Sequence, residues 1–211
     1  MKARKKDTRW MAAVAMFAAI VVALATTPLG MIPLVITKAT TVHIPVILGA
    51  ILLGPLAGGI LGGVFGICSV ISNTMTPALT SFAFSPFLST TGLPGVLKAL
   101  WIAVGCRILI GVAAGWLWRA LNRGERSPWW SLPLVGFVGS MVNTILVMGS
   151  IYVLFAQQYA AAKEVAREAV FGLIMTTVAV NGIPEALAAA VLVAAIGKAL
   201  LRVTRRGLQA A

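Results

Sequence analysis

Residues 41–66 read TVHIPVILGAILLGPLAGGILGGVFG, a lone histidine and two prolines set beside a glycine ladder in an otherwise apolar run. Gly54, Gly58, Gly62 and Gly66 recur every four residues, so on a helix they form one stripe where missing side chains let another backbone come close. Gly59 and Gly63 widen the stripe, and Pro55 directly after Gly54 suits a helix start or a tight reversal between two spans. Such a seam suits packing inside a membrane, where helices associate through close contact of small residues rather than by escape from water.

Composition agrees, since 60% of the 211 residues are hydrophobic and only 10% are charged. Apolar stretches near the roughly 20 residues that cross a bilayer occur at 10–28, 56–75, 94–118, 131–156 and 168–201. A shorter one at 43–54 is bounded by His43, Pro45 and Pro55 and either crosses at an angle, stops part-way or leans on its neighbours. The expected fold is an all-α integral membrane protein of six transmembrane helices with a short or tilted second helix. One membrane domain, 10–203, stands between basic ends at 1–9 and 204–211.

The 17 Lys and Arg against 5 Asp and Glu set the orientation. Lys2, Arg4, Lys5, Lys6, Arg9, Arg119, Arg123, Arg126, Lys198, Arg202, Arg205 and Arg206 fall at one end of the bundle; Lys38, Lys98, Lys163 and Arg167 fall at the other. Positive charge favours the cytoplasmic side, so both termini are expected there, and the charge is read as topology rather than as a nucleic-acid footprint. The amino terminus also resembles a signal peptide ending at Ala23-Leu24-Ala25. Against that reading, Ala15, Ala19 and Ala23 repeat every four residues, either as plain alanine richness or as a smooth docking face for a partner membrane protein. Cys68 and Cys106 lie in apolar spans as packing residues, with no metal or disulfide spacing.

Three loops belong to the expected outer face. Pro28–Thr41 holds a Thr37-Lys38-Ala39-Thr40-Thr41 cluster. Thr74–Pro94 mixes hydroxyls with Phe82, Phe84 and Phe87, too polar to cross and too apolar for a solvated linker, as in a lid or binding segment. Gln157–Glu168 reads as a polar, helix-friendly turn. The inner loop Asn122–Pro128 is short, with Trp129 and Trp130 suited to the interface.

Polar groups at membrane depth are costly and tend to be retained for a task. Arg107, Asn143 and Asn181 fall near the middle of three consecutive spans, and Glu185, four residues after Asn181, shares its helix face. Two readings of Arg107 stand: an internal Arg107–Glu185 pair that locks the bundle, or a guanidinium fork that binds a carboxylate, with amides for hydroxyl or amide groups. His43 is either a structural residue or part of the site. There is no HExxH, GxSxG or Walker A pattern and no acidic cluster for a metal, so neither enzyme chemistry, a cofactor nor an intrinsic ATPase is expected.

The six-span plan, the alanine face and the run Thr41-Val42-His43-Ile44-Pro45-Val46-Ile47-Leu48-Gly49-Ala50, followed by Leu53-Gly54-Pro55, resemble the substrate-binding S components of energy-coupling factor (ECF) vitamin transporters of prokaryotic cell membranes. Ser81-Phe82-Ala83-Phe84-Ser85-Pro86-Phe87 and Asn181-Gly182-Ile183-Pro184-Glu185 are similar to the branch that takes up pantothenate. The resemblance implies high-affinity capture of a vitamin without ATP, delivery through a coupling membrane subunit and two ATPases, and docking of that subunit on Ala15, Ala19 and Ala23. It implies a pocket under the first loop and the loop between spans three and four. Arg107 and Asn143 match the family's polar contacts, with Asn73, Phe84, Asn181, Glu185 and His43 as further candidates. Two other readings remain: a stand-alone secondary transporter of a small organic acid with Glu185 carrying the coupling proton, and an assembly protein whose small-residue faces only pack.

Overall fold

The structure, a computed structural model, describes residues 8–27, 30–33, 38–89, 92–122 and 130–209. The sequence expectations for residues 1–7, the tip of the first loop at 34–37, and 123–129 with Trp129 fall outside those residues. Six membrane-grade segments form an all-α bundle. α1 is Thr8–Thr26, α2 His43–Leu53 and α3 Pro55–Met75. The fourth segment joins α4, Gly92–Leu100, to α5, Cys106–Leu121, through a π-helical turn at Trp101–Gly105. The fifth is α6, Ser131–Ala162, and the sixth joins α7, Val170–Thr177, to α8, Ile183–Gln209, through a second π turn at Val178–Gly182.

The shortness of α2 organises the bundle. Its eleven residues reach only about 16 Å, roughly half of a ~30 Å hydrocarbon layer. It is tolerated because α2 does not face lipid: every residue from His43 to Ile51 is buried, and α1, α3, α5, α6 and α8 all pack against it. α2 occupies the half of the bundle near the basic end, where Gly54 lies against Arg119, and among the described residues the helix does not extend beyond His43 toward the other end. Gly54 closes α2 at φ +97°, a left-handed conformation that a side chain resists, and Pro55 opens α3. The Trp10 indole N–H donates to the Leu53 carbonyl at 3.2 Å and ties that corner to α1.

The glycine stripe packs as its spacing indicates. A Cβ built on Gly66 would lie 2.7 Å from the Ala103 carbonyl oxygen, one on Gly62 would strike the Arg107 carbonyl, and Gly58 and Gly111 face each other backbone to backbone. α3 and the fourth span are therefore in main-chain contact over several turns. The core divides in two. One cluster, around Val46, Ile47, Leu61, Ile110 and Val193, surrounds α2. The other, around Ile102, Ile151, Phe155 and Val170, fills the distal half between the fourth, fifth and sixth spans. α1 buries Val14, Phe17 and Val21 against its neighbours, as an integral part of the bundle.

Three local features differ from the sequence expectation. The first loop contains a short antiparallel hairpin, Met31–Pro33 paired with Lys38–Thr40, closed by a Thr41 N–H bond to the Gly30 carbonyl at 3.1 Å. Its Ile, Val and Thr content favours extended backbone over a plain loop. The fifth span runs to Ala162 rather than 156, since Gln157–Ala162 is alanine-rich and helix-forming, so the expected turn at Gln157–Glu168 contracts to a few residues around Glu164, at φ +53°. The loop after α3 is not structureless: it folds into 3₁₀ turns at Ser81–Ala83 and Pro86–Leu88.

Candidate functional site

A cavity of about 170 Å³ occupies the column above α2. Its floor and one wall come from Arg107 of α5 and from Phe65, Cys68, Ser69, Ser72 and Asn73 of α3. Phe84 enters from the loop after α3, and Thr40 and Val42 close the side of the first loop with Ala25 of α1.

Arg107 is 8% exposed and buried among apolar neighbours. The π turn before it widens the helix, and Arg107 Nη1 donates to the Ile102 carbonyl within that turn at 3.0 Å. The guanidinium carbon sits 5.1 Å from the Phe65 ring centre and 5.3 Å from that of Phe84, so two aromatic rings hold the fork. Its Nε has no hydrogen-bond partner. The alternative of a locking ion pair is corrected here: among the described residues Arg107 and Glu185 form no salt bridge, and Glu185 Oε1 instead accepts the Thr40 backbone N–H at 2.9 Å. A desolvated cation with an open donor and no counter-ion favours an anionic guest.

The loop that delivers Phe84 is held by polar contacts. Ser81 Oγ donates to Asn73 Oδ1 at 2.8 Å and accepts the Ala78 N–H at 2.8 Å, while Asn73 Nδ2 donates to the Ser69 carbonyl at 2.9 Å. The hydroxyls of Thr74 and Ser85 meet at 2.7 Å, and Phe82 packs edge-on to Phe155 at 5.7 Å. Asn73 lines the cavity and also anchors the loop through its Oδ1.

Of the residues singled out in the sequence, the cavity thus gathers Arg107, Phe84 and Asn73. Asn143, Asn181, Glu185 and His43 do not line it. Asn143 is buried with its Oδ1 unpartnered, and the contacts of neighbouring Cys106 with Leu146 and Ser150 put it within about a turn of Arg107 in depth. His43, at the buried start of α2, has neither ring nitrogen in a hydrogen bond among the described residues. Asn181 is half-buried in the second π turn. A wider apolar groove of about 400 Å³ between α1, α2 and α8 has only Thr41 as a polar lining residue, so it offers nothing to fix a polar ligand.

The chain matches the family described as "ECF transporter, substrate-specific component" over residues 9–197, from the start of α1 to deep within α8. It belongs to that family. It is 33% identical over 166 residues, 78% of this chain and 79% of the relative, to the protein named pantothenic acid transporter PanT of Lactococcus lactis subsp. cremoris. A second relative, named pantothenate transporter PanT, of Leuconostoc mesenteroides subsp. mesenteroides, is 28% identical over 206 residues, 94% of this chain and 95% of its own length. This substrate-specific component is accordingly a multi-pass membrane protein of a transport system.

Sequence reasoning missed Phe65, Ser69 and Ser72 as lining residues. The signal was present, because positions 65, 69, 72 and 73 fall on one helical face just beyond the glycine stripe. Cys68 was read as packing only, and it borders the cavity, whereas Cys106 is fully buried. A soluble maleimide is therefore expected to modify Cys68 and spare Cys106, and a ligand in the cavity to slow that modification several-fold, read by mass spectrometry of the labelled peptide.

Proposed function

We propose that this chain is the pantothenate-binding subunit of an ECF-type importer. It captures the vitamin from outside without ATP and passes it inward with a coupling membrane subunit and two ATP-binding subunits, having no chemistry of its own. The observation that carries the reading is Arg107, buried at the cavity with an unpartnered Nε and no acidic partner among the described residues. Pantothenate carries one carboxylate, two hydroxyls, an amide and a branched apolar centre. Arg107 takes the carboxylate, Ser69, Ser72 and the Thr40 side of the cavity face the hydroxyls and amide, and Phe65 and Phe84 enclose the apolar part. The amino end of α2 points into the same column, and the positive end of a half-helix adds to the attraction for an anion. The names of the two relatives support the choice of vitamin.

The basic ends of α1, α5 and α8 mark the cytoplasmic side, which puts the cavity toward the exterior. Ala15, Ala19 and Ala23 are exposed on α1, turned away from the bundle, as a docking face for the coupling subunit requires. Glu185 sits outside the cavity and is spent on Thr40, so it is not assigned a coupling proton.

Calorimetry on the purified chain, without ATP, tests the reading with pantothenate and with pantothenol, in which an alcohol replaces the carboxylate. Pantothenate binds, and pantothenol binds about a hundredfold more weakly because it leaves the buried cation unpaired. Equal binding of the two removes Arg107 as the carboxylate partner. No binding of either by folded protein removes pantothenate as the cargo. Uptake by the chain alone that fails in Glu185→Gln moves the assignment to a proton-coupled carrier.

A further inference from the structure

Glu185 is a half-buried carboxylate in the sixth span that the ligand chemistry does not use. Its Oε1 accepts the N–H of Thr40, a residue 145 positions away in sequence. Thr40 ends the second strand of the first-loop hairpin, pairs with Met31, and also borders the cavity. Two residues later Val42 borders it as well, and α2 begins at His43. One hydrogen bond thus joins the hairpin, the cavity wall and the start of α2 to α8.

The cavity volume gives that bond a consequence. At about 170 Å³ it is below the roughly 300–1,000 Å³ of ordinary small-molecule sites, so a guest the size of a vitamin is accommodated only as a wall yields. The α3 and α5 walls are locked backbone to backbone through Gly58, Gly62 and Gly66. The Phe84 loop is held by Asn73, Thr74, Ser81 and Ser85. The Glu185 bond ties the Thr40 wall to the sixth span, and a hydrogen bond to a carboxylate is about twice as strong as one between neutral groups.

We propose that Glu185 is a positioning residue: it pins the Thr40 wall of the cavity to α8 and so sets how fast ligand enters and leaves. The proposal rests on the reading of this cavity as the ligand site and concerns rates of exchange. Removing the pin speeds both association and dissociation, because the bound and empty cavities share the same wall.

The test uses the full chain in nanodiscs, with pantothenate as the probe in stopped-flow tryptophan fluorescence. Glu185→Ala raises the dissociation rate about tenfold, the value of one charge-assisted hydrogen bond. Glu185→Gln, whose amide oxygen still accepts the Thr40 N–H, stays within about threefold of the parent. Thr40→Pro removes the donor and leaves the carboxylate, and in ligand-free protein it speeds hydrogen exchange of the flanking residues 38, 39, 41 and 42 as Glu185→Ala does, so the proposal survives a failure of either variant to fold. Hydrogen exchange of residues 38–42 in ligand-free protein reads the pin directly: faster in Glu185→Ala, unchanged in Glu185→Gln. If the exchange pattern appears but pantothenate does not bind the parent, the vitamin assignment fails and the pin stands. If folded Glu185→Ala leaves both exchange and dissociation unchanged, or if Gln and Ala act alike, the pin is overturned.

Discussion

Arg107→Ala lowers pantothenate affinity by about 10²–10³-fold, since truncating one partner of a buried charge pair costs about 2–5 kcal/mol and each 1.4 kcal/mol is a factor of ten. The ligand-free variant keeps its melting temperature or gains a few degrees. The two halves of this expectation come from one geometry. Among the described residues Arg107 is buried in a span with no acidic partner, held by the Ile102 carbonyl and two ring faces. A guanidinium at membrane depth costs the fold about 2.5–3.5 kcal/mol on insertion scales, so removing it relieves a cost that ligand would otherwise offset. A bundle-locking residue behaves oppositely, losing stability on truncation whether or not ligand is present. Calorimetry and thermal unfolding with and without pantothenate separate these outcomes: at a ligand concentration of 100 times the parent's Kd the parent gains about 2.7 kcal/mol and the variant at most about 0.4 kcal/mol. Arg107→Lys falls between, keeping the charge but losing the fork. A destabilised Arg107→Ala that still binds pantothenate tightly would return Arg107 to a structural role.

Much of this was legible in the sequence, for identifiable reasons. Arg107 stands out because a cation is rare inside an apolar span, and the glycine stripe because a four-residue spacing has one geometric meaning on a helix. The half-length second span follows from counting apolar residues between His43 and Gly54. What escaped depends on contacts across the chain. The Glu185–Thr40 bond joins residues 145 apart, and no local pattern distinguishes it from an Arg107–Glu185 pair, one of the two readings the sequence left open; both use the same carboxylate at the same depth. The π turns at Trp101–Gly105 and Val178–Gly182 leave no periodicity signal in uniformly apolar segments, yet the first supplies the carbonyl that orients Arg107. Asn73, a further candidate by resemblance, lines the cavity as well, and its bonds to the Ser69 carbonyl and the Ser81 hydroxyl, which hold the Phe84 loop, could not be read from sequence.

The glycine ladder and the arginine are one device, and Gly62→Val exposes the connection. A Cβ at Gly62 would meet the Arg107 carbonyl and lie 2.8 Å from the Arg107 carbonyl carbon and 2.9 Å from the Ile108 Cα, all of it main chain that no rotamer change can move aside. Overpacking commonly costs 1–3 kcal/mol, and with backbone as the obstacle the expected loss exceeds about 3 kcal/mol. α3 and the fourth span must part, and Arg107 leaves the position between Phe65 and Phe84 that gives the cavity its cation. The variant is expected to aggregate in detergent or, where it folds, to lose pantothenate binding together with a marked drop in melting temperature. Gly63→Ala is the matched control one residue away. Its Cβ would lie 3.8 Å from the Ile108 side chain, an ordinary contact, so melting and binding stay near those of the parent. Equal tolerance of both substitutions would mean that the seam is not what places the arginine; sensitivity at Gly62 alone ties the four-residue spacing in the sequence to the electrostatics of the site.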